Sequence, residues 1–315
     1  ISYANKNFVI ARAAMNIPEM KLALMMPKQE VSLDITLENI MSVNIPKYEV
    51  KTRTKNVNDI YSYGYAFTSG DLDDAVWSLE NILDDMIRLA EVEKAGVKLQ
   101  LGFVRRFDRS HKKVRDVVAS GQLGKPYVVK VCSRDPEAPP MSYVAVSGGI
   151  FMDMMIHDFD MVRYLAGSDI TEVNTVGACL VNPDFAKYDD VDTAIVTLKF
   201  ANGAIGVIDN CRQAPYGYDQ RVEVHCEKGC VQDNNNLENE AYISTASGVE
   251  GAKPTWFFLE RYNDAFIAEM EDFVDAVLEG KEVPVGGKDG LESVRVAMAA
   301  RKSLLEKRPV QLSEI

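Results

Sequence analysis

Apolar side chains at Leu79, Ile82, Leu83, Met86, Ile87, Leu89 and Ala90 recur at three- and four-residue steps, which predicts a helix over residues 78–95 with one buried face. Gly96 ends it. Residues 97–104 read as a strand, and Val114, Val117 and Val118 line the apolar face of a second helix over 110–120 that closes near Gly121. Residues 126–132 alternate and are rich in β-branched side chains. Helix, strand, helix, strand is the order given by the edge of a parallel α/β sheet as it passes into a second domain.

From residue 171 the pattern changes to alternating segments at 171–181, 192–200, 204–211 and 220–226, separated by turn-rich sequence. Ala201-Asn202-Gly203 is a tight hairpin signal. Strands joined by short hairpins predict an antiparallel sheet, one face against helices and the other open to a partner, so homo-oligomerisation through that face is expected. Amphipathic helices at 262–278 and 289–305 close the chain and are expected to pack back on the first domain.

Between the two patterns lies the segment richest in chemistry, Ser147-Gly-Gly-Ile-Phe-Met-Asp153-Met-Met-Ile-His157-Asp-Phe-Asp160, running on to Gly167. Residues at i and i+4 share a helical face. Asp153 is therefore expected one turn before His157, orienting its ring and stabilising the imidazolium, with Asp160 extending the polar stripe. Gly148 and Gly149 suit a tight entry to the helix and Gly167 a left-handed end. A buried, hydrogen-bonded Asp/His pair without chemistry is the competing reading, and a metal site made of Asp153, His157 and Asp160 lacks a second shell among its apolar neighbours.

A length of 315 residues suits two domains with real cores. A net charge of −12 argues against a nucleic-acid binder. No apolar run approaches the roughly 20 residues that span a bilayer, and Ile1 opens no signal-peptide pattern. Five unevenly spread cysteines suit a reducing compartment, so a cytoplasmic location is expected. His225-Cys226 with Cys230 fits no common zinc spacing, and no metal is expected.

Gly102-Phe-Val-Arg-Arg-Phe-Asp108, Ser133-Arg-Asp-Pro-Glu-Ala-Pro-Pro140, the glycine-rich Asp/His segment, Tyr216-Gly-Tyr-Asp-Gln-Arg-Val-Glu-Val224 and Phe258-Leu-Glu-Arg-Tyr-Asn-Asp-Ala-Phe266 closely resemble the inositol 2-dehydrogenases. These belong to the glucose-fructose oxidoreductase (Gfo/Idh/MocA) family of NAD(P)-dependent enzymes. The resemblance runs from about Ser78 to the C-terminus. It implies hydride transfer from a ring carbinol of a cyclic polyol to NAD, with NADP as the other candidate, and a homotetramer. It makes His157 the base that takes the hydroxyl proton. Asp153 would bind substrate hydroxyls and tune the imidazole, Arg106 would contact the polyol or carry the cofactor side of the cleft, and Asp135 and Tyr218 fall where the family places substrate contacts.

The fold implied is α/β: a Rossmann-like doubly wound domain over residues 1–120, then an α+β domain over 121–315 with a large, mostly antiparallel open sheet. Two features depart from the pattern. The family opens with a Gly-x-Gly-x-x-Gly turn against the cofactor pyrophosphate, yet this chain has no glycine before Gly64. Residues 5–26 resemble the family's first helix and second strand, as though the chain began just after that turn. The family's Glu-Lys-Pro lysine is also absent, since no lysine lies between Lys55 and Lys94. In one reading the first quarter is incomplete or imperfectly identified, and the protein is an ordinary inositol-type dehydrogenase. In the other it is a degenerate relative, a polyol-binding or structural subunit. Retention of Asp153, His157, Arg106 and Tyr218 as a set favours the first.

Overall fold

A computed structural model describes residues 96–315 continuously, together with Ser2–Tyr3, Phe8–Val9, Ala13–Ala14, Leu89 and Val92. The helix expected over 78–95 lies largely outside the described residues; Leu89 and Val92 are helical. The chain divides into two units, one of Ile1–Gly102 with Met270–Glu292, the other of Phe103–Glu269 with Ser293–Ile315. Within the first, the strand read over 97–104 is only Lys98–Leu99, paired antiparallel with Ala13–Ala14. Val104–Phe107, in the second unit, is a 3-10 turn. The alternation breaks there because Arg105, Arg106 and Asp108 are all bound by charged partners within the second unit.

Helix α1 (Arg109–Ala119) begins at Asp108, whose carboxylate accepts from the backbone N–H groups of Ser110 and His111, each at 3.0 Å. Such a cap satisfies donors that the first turn leaves unpaired. Strand β1 (Pro126–Arg134) follows, then α2 (Met141–Ser147), α3 (Gly149–Asp153) and α4 (Ile156–Ala166). Next come β2 (Ile170–Ala178), β3 (Thr193–Phe200), β4 (Ile205–Cys211), β5 (Asp219–Cys226) and β6 (Gly229–Asp233). A small exposed hairpin, β7 (Tyr242–Thr245) and β8 (Gly248–Gly251), precedes helices α5 (Phe258–Arg261), α6 (Asn263–Leu278) and α7 (Gly287–Glu306) and the short β9 (Val310–Gln311).

Among the described residues the main sheet has seven strands in the order β6-β5-β1-β4-β3-β2-β9, antiparallel throughout except for the central parallel pair β1 and β4. That pair is parallel because a long crossover containing α2, α3 and α4 separates the two strands. The hairpin expected at Ala201-Asn202-Gly203 joins β3 to β4, with Phe200 N–H donating to the Ala204 carbonyl at 3.0 Å and Gly203 at φ 90°.

Period-two burial decides which face is covered. Val129, Val131, Ala194, Val196, Leu198, Ile208, Val222 and Val224 are buried on one face; α4 packs along β1, and its Phe159, Met161, Val162 and Leu165 are buried. Tyr127, Val176, Ile195 and Ile205 lie on the other side and are about half exposed or more. Inward polar positions are the exceptions: Ser133, Asn210 and Gln220 are buried on the same face as the apolar core. They mark where the site is built.

Candidate active site

The segment expected to be one helix is two. Met155 N–H donates to the Ile150 carbonyl at 2.8 Å, a five-residue step that ends α3, and α4 restarts when Phe159 N–H reaches Met155. This single wide turn breaks the i, i+4 register between Asp153 and His157. Asp153 is buried, and its two oxygens go elsewhere: Oδ1 accepts from the Tyr143 hydroxyl of α2, and Oδ2 lies 2.6 Å from Arg212 Nη1. Burial raises its pKa above the ordinary aspartate value, against the pull of Arg212 and Tyr143. The expected orientation of the imidazole by Asp153 is thereby corrected.

The glycines act as expected. Gly148 (φ 82°) separates α2 from α3, and Gly167 (φ 60°) ends α4. Gly149 (φ 80°) faces Asp190, on which an added Cβ would fall at 2.8 Å. Asp190 in turn accepts the Ile150 N–H at 2.9 Å and so fixes the start of α3.

His157 stands on the first turn of α4, partly buried, its ring edge-on to Phe103 with centroids 5.9 Å apart. Its neighbour Asp158 is fully buried and collects three donors: Arg105, the Ser133 hydroxyl and, at 2.6 Å, the Asn210 amide. Arg105 also donates to Ser133 Oγ at 2.9 Å. Buried charge is tolerated only when so completely paired. The network ties the turn after Phe103 to β1, β4 and α4 and sets Arg105 among Tyr218, Tyr262 and Asp135, which it influences electrostatically.

Of the residues expected at the site, Asp135 lies 3.7 Å from Arg212 and has its pKa raised to about 6, chiefly by burial. Tyr218 is buried, edge-on to Phe257 and Tyr262 at 6.2 and 6.1 Å. Burial pushes its pKa well above 10. Asp153, Asp135 and Tyr218 are thus linked through Arg212 and Arg105, within the same unit as His157. Arg106 is paired with other partners among the described residues. Its Nε donates to Asp160 at 2.8 Å and its guanidinium lies 5.1 Å from the Tyr164 ring centre, so the arginine in the cluster is its neighbour Arg105. Asp160, read as part of a stripe with His157, is that ion pair's other half.

Sequence reasoning missed Arg105, Tyr143, Arg212 and Tyr262. Arg105 and Tyr262 stood inside recognised motifs, but Tyr143 and Arg212 carry no spacing signal, because the topology alone brings α2 and the end of β4 to Asp153. Burial raises the Tyr262 pKa to about 12.

Asp108, His111 and Asp233 present ligand atoms within 4.8 Å of one another. Arg261 bridges the two carboxylates, through Nη1 to Asp108 and Nη2 to Asp233 at 3.3 Å. A guanidinium already occupies the position a cation would need, which opposes a metal there.

Residues 111–232 match the GFO/IDH/MocA C-terminal domain, and residues 1–102 match the D-subunit family of ATP synthases. The chain is 52% identical over 224 residues to an uncharacterised oxidoreductase of Bacillus subtilis (strain 168), covering 71% of this chain and 66% of that protein. It is 46% identical over 235 residues to a myo-inositol 2-dehydrogenase of Thermotoga maritima, covering 75% and 70%. It is similar to a scyllo-inositol dehydrogenase from Lactobacillus casei solved with NAD(H) and scyllo-inositol, at TM-score 0.68 and 27% identity over 74% of this chain and 70% of that one. A different relative answers for the N-terminal part. The V-type ATP synthase D-subunit of Clostridioides difficile (strain 630) is 51% identical over 92 residues, 29% of this chain and 41% of that protein. Residues 5–26, read as the dehydrogenase family's first helix and second strand, fall inside that second match. The chain spans about two thirds of the length of its dehydrogenase relatives.

Proposed function

The chain belongs to the GFO/IDH/MocA family, and from that premise we propose that it acts in the NAD-dependent oxidation of a ring hydroxyl of myo-inositol or a related cyclic polyol to the ketone. NADP is the alternative dinucleotide. The observation that carries the reading is the convergence of Arg105, Asp135, Asp153 and Tyr218 within the same unit as His157.

In this reading His157 takes the hydroxyl proton, because a carbinol releases hydride readily only as its oxygen becomes an alkoxide. Asp153 and Asp135 accept from neighbouring ring hydroxyls. Arg105 and the Tyr218 hydroxyl donate to them, so both senses of hydrogen bond a polyol needs are available.

No dinucleotide cradle is present among the described residues. The chain contains no Gly-x-Gly-x-x-Gly. Its glycine pair at a helix start, Gly148-Gly149, faces the Asp190 carboxylate, which repels a phosphate. The nucleotide-binding role expected of residues 1–120 stands within this reading as a proposal. One observation favours a second reading, a polyol-binding protein without turnover: the match of residues 1–102 to the ATP synthase D-subunit family.

No helix among the described residues is long and apolar enough to cross a membrane. The free cysteines support a cytoplasmic location. The half-exposed apolar positions Tyr127, Val176, Ile195 and Ile205 support assembly of copies, a tetramer in the fullest form, through the open sheet face. Light scattering on the purified chain tests that.

Calorimetric titration with NAD and NADP, followed by myo-inositol while nicotinamide absorbance is recorded, decides between the two readings. Saturable NAD binding with reduction on adding myo-inositol supports the dehydrogenase. Polyol binding without dinucleotide binding, in folded protein, supports the second reading.

A further inference from the structure

We propose that Arg212 is a positioning residue: a single buried guanidinium shared by Asp153, Asp135 and Asp190, which keeps Asp153 ionised and in place to accept a polyol hydroxyl and so sets the pH range over which the site takes substrate. The substrate part rests on the polyol reading above; the electrostatic part does not.

Arg212 follows β4 directly, its N–H donating to the Asp192 carbonyl at 2.8 Å, and its side chain is 2% exposed. Nη1 lies 2.6 Å from Asp153 Oδ2 and 3.7 Å from Asp135 Oδ2. Asp190, in the loop before β3, acts on the same cation through its charge without forming an ion pair with it; its Oδ1 is held by Ile150 N–H and its Oδ2 is buried without a hydrogen-bond partner among the described residues. Tyr143 completes the surroundings through its bond to the other oxygen of Asp153. Arg212 Nε and Nη2 are likewise buried and without hydrogen-bond partners among the described residues.

Three carboxylates around one guanidinium leave excess negative charge in a dry environment. Such a cluster lowers its free energy by binding a proton instead of burying the extra charge. Burial raises the pKa of all three acids, that of Asp135 to about 6. Arg105 reaches Asp135 only from a distance and is bound to Asp158. Arg212 therefore decides which acid holds the proton, and its contact at 2.6 Å gives Asp153 the ionised state. A scaffold role alone would lower stability on removal of Arg212 without moving the titration of Asp153.

The test is a carbon-13 NMR titration of the full chain labelled at aspartate carboxyls, assigned with Asp153→Asn and Asp190→Asn. Arg212→Gln is expected to raise the pH at which Asp153 ionises by about 1 to 3 units, and Arg212→Lys to recover most of that shift. Asp190→Asn, which keeps the oxygen that caps α3, is expected to lower it. Calorimetry of myo-inositol binding across the same pH range should follow, with the binding midpoint moving alongside Asp153. If Arg212→Gln does not fold, Asp190→Asn carries the test. An Asp153 midpoint unmoved in Arg212→Gln, or unmoved in Asp190→Asn where Arg212→Gln does not fold, overturns the proposal. A midpoint that moves while the parent binds myo-inositol at no pH leaves the electrostatic role standing and sinks the polyol reading.

Discussion

The Asp153 carboxylate rests on Arg212, 2.6 Å away, while the imidazole of His157, four residues along the chain, lies beyond the wide turn at Met155. Asp153 is thus held against a cation from β4, and in the proposed function it acts on substrate hydroxyls, not on the ring. Asp153→Asn is expected to raise the KM for myo-inositol about tenfold or more, the scale of one lost charged hydrogen bond. The pH limb of kcat that belongs to the imidazole should stay where it is. A limb displaced by a unit would restore the Asp153–His157 coupling that the sequence suggested.

His157→Ala should lower turnover by about two to four powers of ten. Polyol affinity, measured by calorimetry, should change only a few-fold, because the proposed function assigns the hydroxyl contacts to Arg105, Asp135, Asp153 and Tyr218. Parental turnover in this variant would remove His157 from proton transfer.

Arg105 and Arg106 are adjacent but opposite in consequence. Arg106→Ala removes the guanidinium that pairs with buried Asp160, which costs up to about 3 to 5 kcal/mol in stability, and the protein that remains folded should keep its KM. Arg105→Lys preserves charge but not the planar guanidinium whose Nη1 serves Ser133 and Asp158 together. Its KM should rise while stability falls by less than in Arg106→Ala. Urea unfolding beside initial-rate kinetics separates the two, and the reverse pattern would return Arg106 to the site.

Local signals and topological ones differed in legibility. Helices α1, α6 and α7, the strands of the sheet and the Asn202-Gly203 hairpin follow from periodicity and turn chemistry, which act over a few residues, and each lies within a few positions of its expected span. The break at Met155 was hidden because an i, i+4 spacing has the same appearance whether or not a wide turn interrupts the helix. Arg105 could not be told from Arg106 because strand alternation was carried through Val104, where the chain in fact turns. Arg212 and Tyr143 become neighbours of Asp153 only once the crossover is folded over the sheet. The missing glycine turn and lysine were plain in the sequence. Their counterpart is the match of residues 1–102 to a different family, a kinship no periodicity could reveal.

Tyr218→Phe removes a hydroxyl and leaves the ring stacked edge-on against Phe257 and Tyr262. Packing is conserved, so the unfolding midpoint should move little, and the KM for the polyol should rise by a factor of about five to ten. An unchanged KM would take Tyr218 out of the site.

His111 gives a pH signature of its own. The ring is fully buried between Asp108 and Asp233, 3.3 Å from the latter, with Arg261 across both acids. Burial lowers its pKa to about 4, with Arg261 and Arg105 adding to the effect and Asp108 opposing it. The unfolded chain, with histidine near 6.5, therefore binds more protons than the folded one between about pH 4 and 6.5. The contribution of His111 to stability is present above that window and is lost as pH falls through it, by up to about 3 kcal/mol. Asp233, raised to about 6 mainly by burial, acts in the opposite sense over nearly the same range, since the folded chain then holds the extra proton. The parent's stability alone would therefore conceal the histidine. The difference in unfolding free energy between parent and His111→Gln isolates it: that difference should grow from pH 4 to pH 6.5 and level off above. A difference constant with pH would mean that His111 titrates normally in the folded protein, and that the Asp108–His111–Asp233–Arg261 cluster is open to water.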